Sequence, residues 1–363
     1  MRKDMSKSAI PSKTPRPRLV DVARASGTST AVVSTVVNGR TNTSIRVGDD
    51  TRRRVLAAAK KLGYVANPVA QRLAMGHNRL LGIFTHEAVF PIDRRSFYHP
   101  FLVGIEQEAE TQGYDLALFT STSTGVGKRM IYRDGANRLQ VASGSVLLGW
   151  AESTEEIQRL AADKYPFSYV GRREVPGVDV PYAAADYAQA TSEIVQHLVE
   201  HNHRRIKYVS GLEDREAGSD RQRGYLEAAQ KFGLPVEPTF PCHMTENEVR
   251  PSVIKQWVDE GFTAVVFEDD IVAVPVLEAA SAAGLFVPGD LSLAVLGDPL
   301  VHTESTPNWT TFEIPRLEMG RHATRILIDT ITRPVSCQAN YVVLPCALRL
   351  GDTTGPPRGK EAS

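Results

Sequence analysis

The chain has 363 residues, enough for two or three domains, and its 42 lysine and arginine residues balance 42 aspartate and glutamate residues. Its three cysteines lack a CxxC pair, which argues against a disulfide framework or a zinc site, and no apolar run approaches the ~18 residues of a membrane span. The N-terminal residues lack the apolar segment of a secretory signal, so we expect a cytoplasmic protein.

The neutral total conceals two oppositely charged parts. Residues 1–78 contain 15 lysine and arginine residues against four aspartates and no glutamate, so the rest of the chain is acidic. A small basic region favours binding to a polyanion, whereas the large acidic part does not. Residues 1–17 are basic, polar and rich in serine and proline, which predicts a disordered arm.

Three short helices are predicted between residues 18 and 66. The apolar spacing predicts helices over Leu19–Ser26, after a cap at Thr28 or Ser29, and over about Asp50–Leu62. Two short helices joined by a turn with glycine are typical of a helix-turn-helix, whose second helix enters the DNA major groove. A generic three-helix bundle with a solvated basic face is the alternative, and the positive charge favours DNA.

The second predicted helix has an apolar stripe of four valines and an uncharged polar face. We expect the valines to pack on the other two helices, which leaves small side chains free to approach base edges. The predicted DNA-contacting residues of this segment are Ser29, Thr30, Ala31, Ser34, Thr35 and Asn38. Nearby lysines and arginines would contact phosphates. On the third helix, the residues predicted to face inward are Val55, Leu56, Ala59 and Leu62.

From Leu80 onward, short apolar strands alternate with longer helical patterns. The predicted strands cover 80–84, 115–119, 145–149, 167–171, 206–210, 263–267 and 291–297. The predicted helices cover Leu102–Gln112, Ala185–His201, Asp220–Phe232 and Ile271–Ala283. This alternation predicts parallel sheets with helices on both faces, and the length beyond residue 78 predicts two facing α/β lobes.

The sequence contains only weak matches to the motifs of enzymes. The stretch TGVGKR (124–129) lacks the first glycine and the final serine or threonine of a phosphate-binding loop. His201 and His203 are spaced like metal ligands, but HNHRRI is better interpreted as a helix end with Asn202 in a left-handed conformation. The chain has no GxSxG, HExxH or CxxC motif, so we predict no catalytic residues, cofactor or metal site.

Ordered motifs along nearly the whole chain resemble the LacI/GalR family of bacterial transcriptional repressors. LVDVARASGTSTAVVSTVVNG and TRRRVLAAAKKLGYVANPVAQRLA resemble the family's headpiece. HNHRRI, RQRGYLEA, DDIVAVPVLEAASAAGLFVPGDLSLAVLGD and PRLEMGRHA follow in the order of its effector-binding core. The resemblance implies an all-α helix-turn-helix headpiece, a hinge helix and an α/β core of two Rossmann-like parallel-sheet lobes, as in type I periplasmic binding proteins.

The implied domain divisions follow the motifs. They are an arm at 1–17, a helix-turn-helix at 18–66, a hinge helix and linker at 67–78, a core at 79–355 and a tail at 356–363. Within the core we assign about 79–185 and 298–315 to the first lobe, and about 186–297 and 316–355 to the second.

The resemblance also implies a function and its DNA contacts. It implies a homodimer that binds a pseudo-palindromic operator in double-stranded DNA and answers a small molecule. The residues that touch bases correspond to Thr30, Ala31 and Thr35, although the family most often has arginine where this chain has Thr35. Arg40 lies in a connection longer than the family's, where it adds a phosphate contact or belongs to a solvated loop. Leu73 corresponds to the hinge leucine that wedges into the central base step.

In the family the effector lies between the lobes, and a sugar is the expected ligand. Arg221 and Asp270 correspond to residues that hold it. Tyr98 and Phe101 are candidates for stacking on a ring, and Asp298 is either a ligand contact or a structural residue. Two alternatives remain: a solute-binding protein of a transport system, which the missing signal sequence and the headpiece disfavour, and an activator or corepressor-type regulator that responds to a nucleobase.

Overall fold

The computed structural model describes residues 17–37, 47–64, 78–86, 95–120, 129–149, 153–211, 215–299, 307–333 and 341–358. The chain divides into two compact units, Met1–Arg79 and Leu80–Ser363, which we call the headpiece and the core. The division falls one residue from the predicted start of the core. None of the helices in these described ranges is long and apolar enough to cross a lipid bilayer.

The headpiece contains the three predicted helices, α1 Leu19–Ser26, α2 Thr30–Val37 and α3 Asp49–Leu62. Gly27 and Gly63 end α1 and α3 with φ of 65°, a conformation that glycine adopts without strain. The Ser29 hydroxyl accepts from the Val32 amide at 3.3 Å, so it caps α2. The second of the two predicted caps is therefore the observed one.

A small apolar cluster holds the three helices together. Its buried members are Val22, Ala23, Val33, Val36, Val55, Ala58 and Ala59. Two of the residues predicted to face inward do not: Leu56 is 49% exposed and Leu62 is 38% exposed. Leu56 lies one position beyond the buried face of α3, and Leu62 lies in the last turn of that helix. Apolar spacing alone defined this face too broadly.

The core strands and helices alternate as predicted. The strands are β1 Leu80–Phe84, β2 Asp115–Leu118, β3 Tyr132–Arg133, β4 Ala136–Asn137, β5 Gly144–Leu147, β6 Phe167–Val170, β7 Tyr182–Ala185, β8 Ile206–Ser210, β9 Cys242–His243, β10 Ala264–Phe267, β11 Ser292–Val295, β12 Thr311–Glu313, β13 Tyr341–Leu344 and β14 Ala347–Arg349. The helices are α4 Arg95–Thr111, α5 Thr154–Ala162, α6 Tyr187–Glu200, α7 Glu216–Phe232, α8 Pro251–Asp259, α9 Asp270–Ala282 and α10 Arg316–Thr332.

The first lobe is built on a six-stranded parallel sheet in the order β13-β7-β6-β5-β1-β2. Helices α4 and α10 pack against each other, and α10 also packs on this sheet. A Cβ atom added to Gly104 would lie 2.0 Å from the Leu317 carbonyl oxygen, and one added to Gly320 would lie 2.2 Å from the Phe101 oxygen. The two glycines therefore permit the backbones of α4 and α10 to touch.

The second lobe has a four-stranded parallel sheet in the order β11-β10-β8-β9. Helices α6 and α7 pack together, and a Cβ atom on Gly224 would lie 2.1 Å from the Ala188 carbonyl oxygen. Two parallel sheets thus confirm the predicted two-lobed α/β core. Asn202 has φ of 68°, which confirms the predicted left-handed helix end after α6.

The predicted division of the late segments between the lobes is wrong. We assigned 298–315 to the first lobe and 316–355 to the second, but α10 packs in the first lobe and β13 pairs with β7 of its sheet. Conversely, Thr310 bridges to Ala294 in the second lobe. The chain therefore passes between the lobes at 185–187, 313–316 and 344–347. Motif order does not reveal which sheet a late strand joins.

The core also extends further toward the end of the chain than predicted. The tail was assigned to 356–363, but the Arg358 amide donates to the Gly289 carbonyl at 2.7 Å. Just before it, the Gly355 carbonyl accepts from buried His203 at 2.9 Å, and the Thr353 carbonyl accepts from the Leu293 amide at 2.8 Å. Residues up to 358 therefore belong to the second lobe.

Candidate functional site

The exposed side of α2 carries small uncharged side chains. Ser29, Thr30 and Ala31 are exposed, and Ser34 is half-buried. The described lysines and arginines of the headpiece are also all exposed: Arg18, Arg24, Arg52, Arg53, Arg54, Lys60, Lys61 and Arg79. The headpiece therefore offers short side chains that fit a DNA groove and exposed positive charges that suit phosphates. Asn38, Arg40 and Leu73, the other predicted DNA contacts, lie outside the described residues.

Thr35 corrects the predicted base-reading face. Its side chain is buried, with 5% of the residue exposed, and its hydroxyl donates to the Ala31 carbonyl at 3.0 Å. A buried hydroxyl that is satisfied by its own helix has neither the access nor the free donor that base recognition requires. Thr35 lies beside Val36 on the inward side of α2, which the simple two-sided division of the helix did not anticipate.

A cavity of about 530 Å³ lies between the two lobes of the core. Its walls include side chains from α4 and β6 of the first lobe and from α7 and α9 of the second. The five residues predicted to contact an effector all line it: Tyr98, Phe101, Arg221, Asp270 and Asp298. A cleft of this volume, walled by aromatic and charged groups, has the size of a small-molecule site.

Arg221 is held in a defined position in the second lobe. Its Nε donates to the Leu296 carbonyl at 2.6 Å and its Nη1 donates to the Ala217 carbonyl at 2.9 Å. The guanidinium carbon lies 4.0 Å from the centroid of the Tyr187 ring, a cation–π contact. A Cβ atom on Gly297, where φ is 144°, would lie 3.2 Å from Nη2. Glycine therefore leaves the space that the guanidinium occupies.

Two consecutive aspartates begin α9 at the cavity wall. Asp269 caps the helix by accepting from the Ile271 amide at 3.1 Å. Burial raises the pKa of Asp269 above its usual value, although that hydrogen bond opposes the shift. Asp270 is 1% exposed and is the first helical residue. This end of α9 therefore presents acceptors for hydroxyl groups and repels anions.

The first lobe supplies an aromatic wall from α4. Tyr98 and Phe101 are 3% and 4% exposed, and the Phe97 ring contacts them edge-on at centroid distances of 5.1 and 5.6 Å. The Arg316 guanidinium lies 5.0 Å from the Phe97 ring centroid. Phe97 packs against both of the other rings, so Tyr98 and Phe101 meet the cavity as part of an aromatic wall.

Asp298 is engaged by the segment that crosses between the lobes. Its Oδ2 accepts from the Ile314 amide at 3.0 Å and from Arg316 Nη1 at 2.9 Å. These contacts favour the structural interpretation of Asp298 over a ligand contact. Sequence reasoning did not single out Arg316, whose position depends on the crossing at 313–316.

Ion pairs across the cleft were also missed. Arg172 and Arg173 follow β6 in the first lobe, and they pair with Asp220 and Glu216 on α7 of the second lobe. The adjacent arginines after an apolar strand were visible in the sequence, but their partners are more than 40 residues away. Only the folded chain brings them together.

One of the two histidines whose spacing resembles that of metal ligands is held by hydrogen bonds inside the second lobe. Buried His203 has hydrogen bonds from both ring nitrogens, to Thr263 Oγ1 at 2.8 Å and to the Gly355 carbonyl at 2.9 Å. Across the described parts of the chain, no group of three histidine, cysteine or acidic side chains is arranged to hold a metal ion.

Comparison with known proteins identifies both units. The family model "Bacterial regulatory proteins, lacI family" matches residues 18–67, and the model "Periplasmic binding protein-like domain" matches residues 195–354. The chain is 30% identical over 354 residues to the HTH-type transcriptional regulator MalR of Streptomyces coelicolor, covering 94% of this chain and 97% of the relative. It is 28% identical over 321 residues to the HTH-type transcriptional regulator CelR of Thermobifida fusca, covering 87% and 92%.

Solved structures share this architecture. A complex of the transcriptional regulator CelR with cellobiose matches with a TM-score of 0.62 at 27% identity, over 93% of this chain and all of that one. The lac repressor dimer bound to operator and the anti-inducer ONPF has the same fold, with a TM-score of 0.64 at 21% identity, over 94% of this chain and 100% of that one. The relatives are regulators of transcription rather than enzymes, and the chain belongs to the LacI family of bacterial transcriptional regulators.

Proposed function

We propose that the protein is a dimeric repressor that binds a pseudo-palindromic DNA operator and responds to an uncharged carbohydrate bound between its lobes. The observation that carries the proposal is the exposed uncharged face of α2 in a headpiece whose described arginines and lysines are all exposed. Short side chains there would read base edges while the flanking cations contact phosphates. The solved lac repressor with this fold is described as a dimer bound to operator, which supports the same assembly here.

The proposed DNA contacts are assigned to two places. On α2 they are Ser29, Thr30, Ala31 and Ser34, followed by Asn38 and Arg40 in the next segment. Leu73 is proposed as the minor-groove wedge, so Leu73→Ala would weaken operator binding and leave non-specific binding little changed. Thr35 is withdrawn from this set because it is buried.

The charges around the cleft favour an uncharged effector. Three arginines in its walls are already paired with carboxylates: Arg172–Asp220, Arg173–Glu216 and Arg316–Asp298. Arg221 donates to two carbonyl oxygens, and the acidic residues Glu268, Asp269 and Asp270 also line the cavity. An anionic ligand would meet these carboxylates, whereas sugar hydroxyls can donate to them and accept from arginine. The relative CelR was solved with cellobiose, which supports the carbohydrate class.

Two measurements test the proposal separately. For DNA, affinity of the full-length protein for duplex DNA is measured against salt concentration, and log affinity should fall linearly with log salt with a slope of several units. A flat response would remove the DNA-binding proposal. A palindromic site should also be preferred over a single half-site, since a dimer presents two copies of α2.

For the effector, the melting temperature is followed with a panel of neutral sugars, sugar phosphates and nucleobases. A specific ligand stabilises the folded state by mass action, by about 2.7 kcal/mol at a concentration 100-fold above Kd. We expect stabilisation by a neutral sugar and none by its phosphate. Stabilisation by a nucleobase alone would favour the corepressor-type alternative and reject the carbohydrate.

A further inference from the structure

The rim of the cleft carries a set of ion pairs that join the two lobes. Arg172 donates two hydrogen bonds to Asp220, from Nε to Oδ2 at 3.0 Å and from Nη2 to Oδ1 at 3.1 Å. Beside it, Arg173 Nη1 donates to Glu216 Oε2 at 3.1 Å. The arginines belong to the loop between β6 and β7 of the first lobe, and the acids lie on α7 of the second. We call these four side chains the latch.

The latch is partly shielded from water and is held in place on the first-lobe side. The exposed fractions of the side chains are 22% for Arg172, 10% for Asp220, 10% for Arg173 and 20% for Glu216. The Arg173 guanidinium lies 4.6 Å from the centroid of the Tyr169 ring, and its Nη2 donates to the Gly149 carbonyl. Shielded and pre-positioned charges interact more strongly than fully exposed ones, so the latch is stronger than a typical surface ion pair.

The latch and Arg221 share the first turns of α7. Asp220 immediately precedes Arg221 in the chain. The Glu216 carbonyl accepts from Arg172 Nη2 at 3.3 Å, and the next carbonyl, that of Ala217, accepts from Arg221 Nη1 at 2.9 Å. Arg172 of the first lobe and Arg221, the residue that we propose to contact the effector, therefore bind neighbouring carbonyl groups of one helical turn.

We propose that Arg172 and Arg173 are positioning residues that close the cleft through Asp220 and Glu216 and thereby set Arg221 for the effector. The proposal rests on the proposed function only in the role given to Arg221. Opening the cleft would carry the first turns of α7 away from the first-lobe wall. The effector would then bind only the fraction of molecules that is closed, and its apparent Kd would rise by the inverse of that fraction.

The first experiment measures the distance between the lobes without any ligand. Spin labels are attached at Glu155→Cys on α5 and Ser252→Cys on α8, both exposed, after the three native cysteines are changed to serine. Labelled protein is mixed with excess unlabelled protein, so that distances within one chain dominate in a dimer. Pulsed electron resonance then compares the unaltered latch with Arg172→Gln/Arg173→Gln.

A matched control breaks an ion pair that lies inside one lobe. Arg325 grips Glu108 at 3.1 and 2.9 Å, and both residues belong to helices of the first lobe. Arg325→Gln therefore removes a similar two-nitrogen contact without touching the cleft. We expect a longer-distance population that is at least about threefold larger in Arg172→Gln/Arg173→Gln than in the control. Equal distance distributions in the two variants would overturn the latch.

The second experiment uses cellobiose as the probe. The cellobiose Kd should rise about tenfold in Arg172→Gln/Arg173→Gln and less than twofold in Arg325→Gln. The exchanged pair Arg173→Glu/Glu216→Arg should recover most of the affinity that Arg173→Glu loses, together with the short distance between the lobes, because the exchange restores the ion pair across the cleft. Failure of this recovery would overturn the positioning role. If cellobiose does not bind the wild-type protein, the neutral sugar that raises its melting temperature replaces cellobiose as the probe, and the ligand-free distances still decide the latch.

Discussion

At the residue scale, Arg221 shows how a side chain is prepared before a ligand arrives. Two backbone carbonyls and the Tyr187 ring restrict its guanidinium, and burial raises the pKa of Tyr187, so the ring stays neutral beneath the cation. A restricted arginine loses little freedom on binding, which favours affinity. Because these contacts depend on the guanidinium, we expect substitutions of Arg221 to remove them.

Arg221→Ala is expected to abolish the effector response and to leave operator affinity nearly intact. Truncating one partner of a buried charged contact costs about 2–5 kcal/mol, whereas the proposed DNA contacts lie in the other unit of the chain. Effector titration by melting temperature and operator binding would be measured on the same preparation. A variant that answered the effector at wild-type concentrations would show that Arg221 is not a ligand contact.

Because His203 is buried, we expect the stability of the core to decrease at acid pH. Burial lowers the pKa of His203 from 6.5 to about 4. Between pH 6.5 and about pH 4, His203 is protonated in the unfolded chain but neutral in the folded protein. The free energy of unfolding therefore falls as the pH falls through this window. Between pH 7.5 and pH 5 the loss is about 2 kcal/mol. Urea unfolding at the two pH values would detect it, and in His203→Gln the difference should shrink by that amount.

At the element scale, contact between helix backbones organises the first lobe beside the cleft. Gly104 on α4 and Gly320 on α10 face each other's chains at distances that no Cβ atom tolerates. The same two helices carry Phe101 and Arg316 to the cavity. The crossing therefore determines the position of one cavity wall as well as the stability of the lobe.

Gly104→Ala should destabilise the core by about 2 kcal/mol or more, despite the better helix propensity of alanine. The clash is with the Leu317 carbonyl, which belongs to a backbone and cannot move aside as a side chain can. Denaturant unfolding compares it with Gly211→Ala, where an added Cβ atom meets nothing within 4 Å. Equal stabilities of the two variants would contradict the close crossing of α4 and α10.

At the scale of the whole molecule, an effector bound to the core can change DNA binding only if its affinity differs between two arrangements of the lobes. The chain passes between the lobes at 185–187, 313–316 and 344–347, and short connections of this kind are where hinge motions between lobes take place. An effector that prefers one arrangement shifts the population of arrangements, and through it the affinity for operator. The expected coupling is ~1–3 kcal/mol, or roughly 5–150-fold in affinity.

This coupling must be reciprocal. Whatever factor the effector imposes on operator affinity, saturating operator must impose on effector affinity. Calorimetry of effector binding with and without operator, beside operator binding with and without effector, gives the two factors. Agreement within error supports one linked equilibrium in the full-length protein. A large effect in one direction alone would mean that one of the two titrations was not at equilibrium.

Patterns within one element determined most of what the sequence predicted correctly. The boundaries of α1, β1 and β8 were predicted to the residue, because glycine stops and runs of apolar residues are local signals. The family motifs placed Arg221 and Asp270, which the fold brings to one cavity. Strand β7, with the sequence YAAA, was missed because alanine carries little strand preference.

Contacts between distant residues decided the rest. The burial of Thr35 and the exposure of Leu56 depend on the angles at which the three headpiece helices pack. The apolar spacing within one helix carries no information about those angles. The lobe that receives β13 depends on which sheet edge is open to it. The latch between Arg172 and Asp220 joins residues 48 positions apart. Each requires the relative placement of whole elements, and that placement is set by the packing of the complete core rather than by any local run of residues.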